Sequence, residues 1–252
     1  MALHKTQGIV LRRMNLGEAD RILTVFTRKF GKLKAVAKGS RKTQSRLAGS
    51  LEPLQLVDFM FWRREGQELA LVRGADLVEY NPAPGRDLAA FAAGSFAAEL
   101  VDRSLAEDEP QPRLFALLMA FLKEIRRPGR AQGALLGFML QAADALGYGY
   151  PLDRCAACHG RLPHSGGLWM DYAVGGFLCG KCGAHGTNRT GERLSGEVLT
   201  AMRAALAGHE HGHDVDSGCA MAGARAVDRM LAYHQDRKTL RTEKLLDQMM
   251  NE

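Results

Sequence analysis

The chain predicts an α+β protein: a small five-stranded barrel at the amino end, then a helical bundle with a cysteine-bearing insertion. Three observations carry that expectation. Five short β-prone runs separated by polar turns fill residues 1–80. Beyond residue 87, apolar residues recur at helical spacing. Two Cys-x-x-Cys pairs, Cys155 with Cys158 and Cys179 with Cys182, lie in a stretch, 148–190, where that periodicity breaks.

The strands are expected at 8–13, 21–27, 33–37, 54–62 and 69–78, with turns at 17–20, 30–32 and 63–66. That count and size match an oligonucleotide-binding barrel, the OB-fold. Its topology is an inference from the count. Residues 81–85 are rich in Pro and Gly and mark a break. Helices are expected at 88–105, 113–126 and 131–146, at 195–206 with Ser195 as N-cap, and at 225–250. The expected organisation is thus a barrel at 1–80, a helical domain at 81–147 and 191–252, and a cysteine-bearing insertion at 148–190 within that helical domain.

The 252 residues are 46% hydrophobic and 25% charged, an ordinary globular balance. The net charge of +6 is not spread evenly. Residues 1–80 hold 15 Lys and Arg against 8 Asp and Glu, so the basic excess belongs to that part. Such asymmetry points to nucleic acid or another acidic partner. Residues 1–7 lack the charged start and apolar core of a signal peptide, and no run of about 18 apolar residues occurs. A soluble, cytoplasmic protein without a membrane partner is expected.

Residues 21–51 concentrate the charge, with nine basic residues and no Asp or Glu. A field of one sign repels itself unless a polyanion relieves it. A phosphate backbone does so by releasing condensed counterions at each Lys or Arg contact. The bland alternative is a solvated basic face kept for solubility. Residues 38–46 read as a flexible loop of small, polar and basic residues that can mould to a strand. Phe26, Phe30, Phe59, Phe61 and Trp62 lie on β-prone runs and read as core. An exposed one would stack on a base.

Twenty residues separate the two Cys-x-x-Cys pairs, a strong four-thiolate zinc signal. With four protein ligands no position stays open for water, so the site reads as structural. A redox pair or bare thiols are the alternatives, and His159, His164 or His185 could replace one sulfur. Cys219 stands alone and reads as a small buried residue. His209, His211, His213 and Asp214 read as a solvent loop, with metal binding as the alternative. There is no P-loop, no G-x-S-x-G and no H-E-x-x-H. Glu18 and Asp20 read as partners of Arg12, Arg13 or Arg21. No enzyme chemistry is expected.

Gly17-Glu18-Ala19-Asp20-Arg21, Val36-Ala37-Lys38-Gly39-Ser40-Arg41-Lys42 and Ser45-Arg46-Leu47-Ala48-Gly49-Ser50-Leu51-Glu52-Pro53 resemble segments of the bacterial DNA repair and recombination mediator family RecO. Leu152-Asp153-Arg154-Cys155-Ala156-Ala157-Cys158 and Gly176-Phe177-Leu178-Cys179 are similar to the family's knuckles, and Arg237-Lys238-Thr239-Leu240-Arg241 more loosely to its closing segment. The resemblance spans nearly the whole chain, and the histidine-rich loop is not part of it. It implies an OB-fold domain, a helical domain and one structural Zn2+ per chain on Cys155, Cys158, Cys179 and Cys182. It also implies binding of single- and double-stranded DNA, annealing of complementary strands, partnership with RecR, and loading of RecA onto DNA coated by single-stranded-DNA-binding protein. The bound state would associate with the nucleoid. Lys32, Lys34, Lys38, Arg41, Lys42 and Arg46 become the DNA-contacting candidates. The rival classes are a zinc-containing interaction adaptor and a DNA-processing nuclease.

Overall fold

A computed structural model of the protein describes residues 2–45, 47, 49–64, 66–79, 81, 87–163, 166–184, 190–207 and 215–250. The chain divides into two compact units, Met1–Arg126 and Arg127–Glu252.

In the first unit five strands close into a barrel: β1 (Ala2–Leu16), β2 (Asp20–Thr27), β3 (Gly31–Ala37), β4 (Leu56–Arg63) and β5 (Leu69–Glu79). Around the barrel the order is β1-β2-β3-β5-β4, and β4 pairs back onto β1. All pairs are antiparallel except β3 with β5. This is the five-stranded OB-type closure that the strand count suggested. β1 is much longer than its apolar 8–13 centre. Its first half pairs with β4 from Ala2↔Arg63 to Ile9↔Leu56. Its second half pairs with β2, and a register shift between Val10 and Arg12 bends the strand from one partner to the other.

Alternation fills the interior. Leu23, Val25, Leu33, Ala35, Ala37, Val57, Phe59, Phe61, Ala70 and Val72 form one buried cluster. Gly8 is required where β1 crosses β2, since a Cβ there would stand 2.7 Å from Val25 Cγ1. The small residues of α1 (Leu88–Ser104) let it pack closely, and a Cβ on Gly94 would stand 2.7 Å from Leu54 Cδ1. Phe115 of α2 (Pro112–Glu124) meets Phe26 of β2 edge-on at 5.5 Å. α1 and α2 therefore lie in the same compact unit as the barrel.

Residues 107–109 run along the start of β3, beside the point where β5 begins to pair with it. Lys32 bridges to Glu107 in parallel, and the Asp108 amide donates to the Lys32 carbonyl at 2.9 Å. Gly31 has φ +67, and a Cβ on it would lie 2.3 Å from the Glu109 carbonyl oxygen. Gly31→Ala is expected to cost more than the roughly 1–2 kcal/mol that a left-handed conformation alone costs an L residue. A urea titration checks this; an unchanged midpoint would contradict so close an approach.

In the second unit, α3 (Ala131–Ala145), α5 (Gly196–Ala207) and α6 (Ser217–His234) pack on one another. Gly223 of α6 admits Leu136 and Met202, whose atoms would lie 2.9 and 3.3 Å from a Cβ there. Between α3 and α5 lie β6 (Gly167–Asp171), β7 (Gly176–Leu178), the short α4 (Gly180–Ala184) and β8 (Gly191–Ser195). The three strands form an antiparallel sheet in the order β7-β6-β8. Strands in this segment were not expected. The carboxy-terminal helix also differs: it is two helices, α6 and α7 (Glu243–Met250). Asp216 caps α6 by accepting from the Cys219 amide at 2.8 Å, so Cys219 sits in a first turn and is half-exposed, correcting the expected buried thiol.

The junction between α6 and α7 is held by a buried ion pair. Arg237 donates to Asp228 at 2.6 Å, with side chains 9% and 2% exposed, and the Leu240 amide donates to the other carboxylate oxygen at 3.2 Å. Arg229 pairs with Glu192 of β8 at 2.6 Å and lies 3.5 Å from Glu243 of α7, which links sheet and helices. Among the described residues no helix is long and apolar enough to cross a membrane.

Candidate nucleic-acid interface and metal centre

The basic segment does not behave as one surface. Lys32 is 8% exposed. Its ammonium donates to the Asp102 carbonyl in the last turn of α1 and lies 3.3 Å from the Asp102 carboxylate. Carbonyls at a helix carboxyl end lack intrahelical donors and attract cations. Lys32, named above as a DNA-contacting candidate, is thus engaged in holding α1. Lys34 is half-exposed but pairs with Glu107 at 2.6 Å. A hydrogen bond to that carboxylate, reinforced by its charge, raises the Lys34 pKa. Arg63 at the end of β4 forks onto Asp108. Glu107 and Asp108 therefore answer Lys34 and Arg63 at this rim, pairings across 73 and 45 positions of sequence that no local pattern announces.

At the other rim the picture reverses. The 38–45 segment is a run of turns rather than the expected mouldable loop. Asp20 accepts from the Gly39 amide at 2.7 Å, and the Arg41 amide donates to the Ala19 carbonyl at 2.9 Å. The Arg41 side chain reaches the Gly17 carbonyl, and Ser40 Oγ donates to Ala37 at 2.9 Å. Asp20 thus serves as an amide acceptor, and no ion pair joins it to Arg12, Arg13 or Arg21 among the described residues. Arg13 pairs instead with Glu52, with Arg21 at 3.8 Å from the same carboxylate. Lys38, Arg41 and Lys42 are all exposed, and none pairs with a carboxylate among the described residues. Arg46 lies outside the described residues.

In the second unit the four cysteines converge. Their Sγ atoms all lie within 4.8 Å of one another, and Cys158 and Cys179 are 3.8 Å apart. A tetrahedron with metal–sulfur bonds of about 2.3 Å has edges of about 3.8 Å, so the spacing suits a metal ion. The backbone builds each turn. The His159 amide donates to Cys155 at 2.9 Å, with His159 at φ +58, and the Gly183 amide donates to Cys179 at 2.7 Å. The Cys179 amide points at Cys155 Sγ at 3.3 Å, and the Ala156 amide donates to Phe177, which fastens one knuckle to the other. Burial pushes the Cys155 thiol up, but amide donors from Cys158, Cys179 and Ala157 outweigh it and bring the value to about 6. Hydrogen bonds with Cys158 and Cys179 push the Cys182 thiol up to about 12. The lowered value favours Cys155 as a thiolate. His159 is exposed and outside the sulfur cluster. His164, His185 and the 208–214 loop lie outside the described residues.

A barrel with a basic turn at one rim, followed by helices and a four-cysteine ribbon, is the arrangement that two family models cover between them. Recombination protein O N terminal matches residues 1–81, and Recombination protein O C terminal matches residues 85–243. The chain belongs to the RecO family. The relatives agree. A protein named DNA repair protein RecO from Geobacter metallireducens is 38% identical over 184 residues, 73% of this chain and 74% of its own. One of the same name from Streptomyces griseus is 31% identical over 245 residues, 94% of this chain and 96% of its own. The family is one of DNA repair proteins, and this chain carries its barrel, its helices and a cysteine cluster able to hold a metal ion.

Proposed function

We propose that this protein is a recombination mediator that binds single- and double-stranded DNA through the 38–45 turn and brings complementary strands together without making or breaking a bond. The supporting observation is the rim geometry: three exposed cations, Lys38, Arg41 and Lys42, stand on a backbone latched by Asp20. Two strands repel each other; a cationic rim neutralises phosphates on both and raises their local concentration. No base readout is needed, so binding tolerates any sequence and weakens steeply with salt. The partners in this reading are DNA, RecR and the single-stranded-DNA-binding protein, with RecA loaded on the strand so exposed. The metal is one structural Zn2+ on Cys155, Cys158, Cys179 and Cys182, and the place of work is the cytoplasm, on nucleoid DNA. Zn2+ supplies no reaction here; the thiolates join two knuckles into one ribbon.

The triple substitution of Lys38, Arg41 and Lys42 by Ala is expected to weaken oligonucleotide binding and make the slope of log affinity on log salt shallower by about 2, at roughly 0.7 for each single-strand phosphate no longer neutralised. Fluorescence titration across a salt series measures both, and annealing of complementary oligonucleotides should slow in parallel. An unchanged slope would remove this rim from the account. Incubation of labelled DNA with Mg2+ separates this reading from a nuclease, which would shorten the labelled strand.

A further inference from the structure

We propose that the opposite mouth of the barrel, where β1 begins, binds one unstacked nucleobase together with its phosphate. The mouth is floored by aromatic rings. The His4 ring lies 4.9 Å from that of Phe30 and 5.1 Å from that of Phe61, and Phe30 meets Phe61 edge-on at 5.4 Å. A cavity of about 340 Å³ is lined by all three rings, and a second of about 700 Å³ adjoins it at His4. His4, Arg63 and Asp108 line both, so the cavities flank a single ion pair. Their size is that of small-ligand sites, which barrel mouths commonly provide. The dividing wall is fixed, because Arg63 forks onto Asp108 and also donates to the Gln67 carbonyl at 2.9 Å.

The charge selects the ligand. Among the described lining residues three cations, Lys29, Arg63 and Arg64, face two carboxylates, Glu68 and Asp108. Arg63 is already answered by Asp108, while Lys29 and Arg64 are exposed. One surplus positive charge suits one phosphodiester. A peptide with several carboxylates would exceed that one surplus charge and be repelled by Glu68. Flat rings beside a single anion site fit a base on its phosphate, because every base presents a face for stacking.

This inference rests on the nucleic-acid reading for its ligand class, but its site lies at the far end of β1 from the latched turn. The test uses the full chain and thymidine 5′-monophosphate, followed by saturation-transfer NMR. Saturation of aromatic protein protons is expected to reach the thymine methyl and ring protons. His4→Leu should abolish that transfer. Lys29→Glu, at an exposed position that leaves the fold intact, should weaken the nucleotide about tenfold, the loss expected for one charge-assisted hydrogen bond. Melting curves of both variants establish that they are folded. If oligothymidylate displaces the nucleotide, the site serves strands; if it does not, the site serves free nucleotides. Absence of transfer in the intact protein, transfer unchanged in both variants, or displacement by an acidic phenylalanine-containing peptide but not by nucleotide would overturn the proposal. The Lys38, Arg41 and Lys42 triple variant should keep the thymine signal. Loss of oligonucleotide affinity in that variant, with no thymine signal in any form, would leave the rim reading standing and this one refuted.

Discussion

Replacing Cys155 and Cys158 together with Ser is expected to unfold the cysteine ribbon and lower the melting temperature sharply, while the DNA affinity of the folded fraction changes less than about twofold, as for sites that share no partners. The three strands of the ribbon are only five, three and five residues long. So small a sheet is marginal by itself, and a metal ion on the four thiolates would supply what its apolar contacts lack. Structural zinc in comparable small modules contributes about 10–16 kcal/mol of folding free energy. Circular-dichroism melts with and without chelator, with zinc measured on the same sample, check this. Identical melting temperatures in the two conditions would mean that the sulfurs carry no structural ion. The DNA arm discriminates further, because Lys38, Arg41 and Lys42 belong to the other compact unit.

Asp228→Ala is the second large expected effect, a loss of about 3–5 kcal/mol. The carboxylate sits almost wholly inside the second unit and receives both the Arg237 guanidinium and the Leu240 amide. Removing it strands a buried cation and an amide donor together, the costly way to break a buried pair. Asp228→Asn keeps an acceptor and should lose less. Urea unfolding of the two variants gives the comparison, and equal midpoints for Ala and wild type would show that solvent reaches Arg237. The same contact gives the family-like 237–241 segment a structural reason, since its first arginine ties the end of α6 to the start of α7.

The parts legible in the sequence share a cause. Barrel strands were legible because Leu23, Val25, Leu33 and Ala35 alternate with outward residues, and alternation encodes the face directly. The cysteine cluster was legible because Cys-x-x-Cys pairs set their own geometry within one turn. What stayed hidden depends on partners far along the chain. The apolar stripe of α1 says that the helix is buried but not against what, so its place beside β1 could not be read. Lys32 and Lys34 look like their neighbour Lys38 until residues 102–108 are laid over them. Asp20 looked like a counter-ion for arginine because charge is visible in a sequence and an amide acceptor role is not. The break at 235–242 was missed because apolar periodicity resumes after it, while Asp236 turns the backbone to φ +47.

The internal pairing at residues 107–108 changes how the amino-terminal unit should be weighed as an electrolyte. It carries its own counter-ions, fixed in place on one side, so its lysines and arginines overstate the free cations that a resin or a polyphosphate would meet. On cation exchange it should elute as a less basic body than its lysine and arginine tally suggests. Its lopsidedness amounts to a permanent dipole, able to orient the molecule before any contact is made.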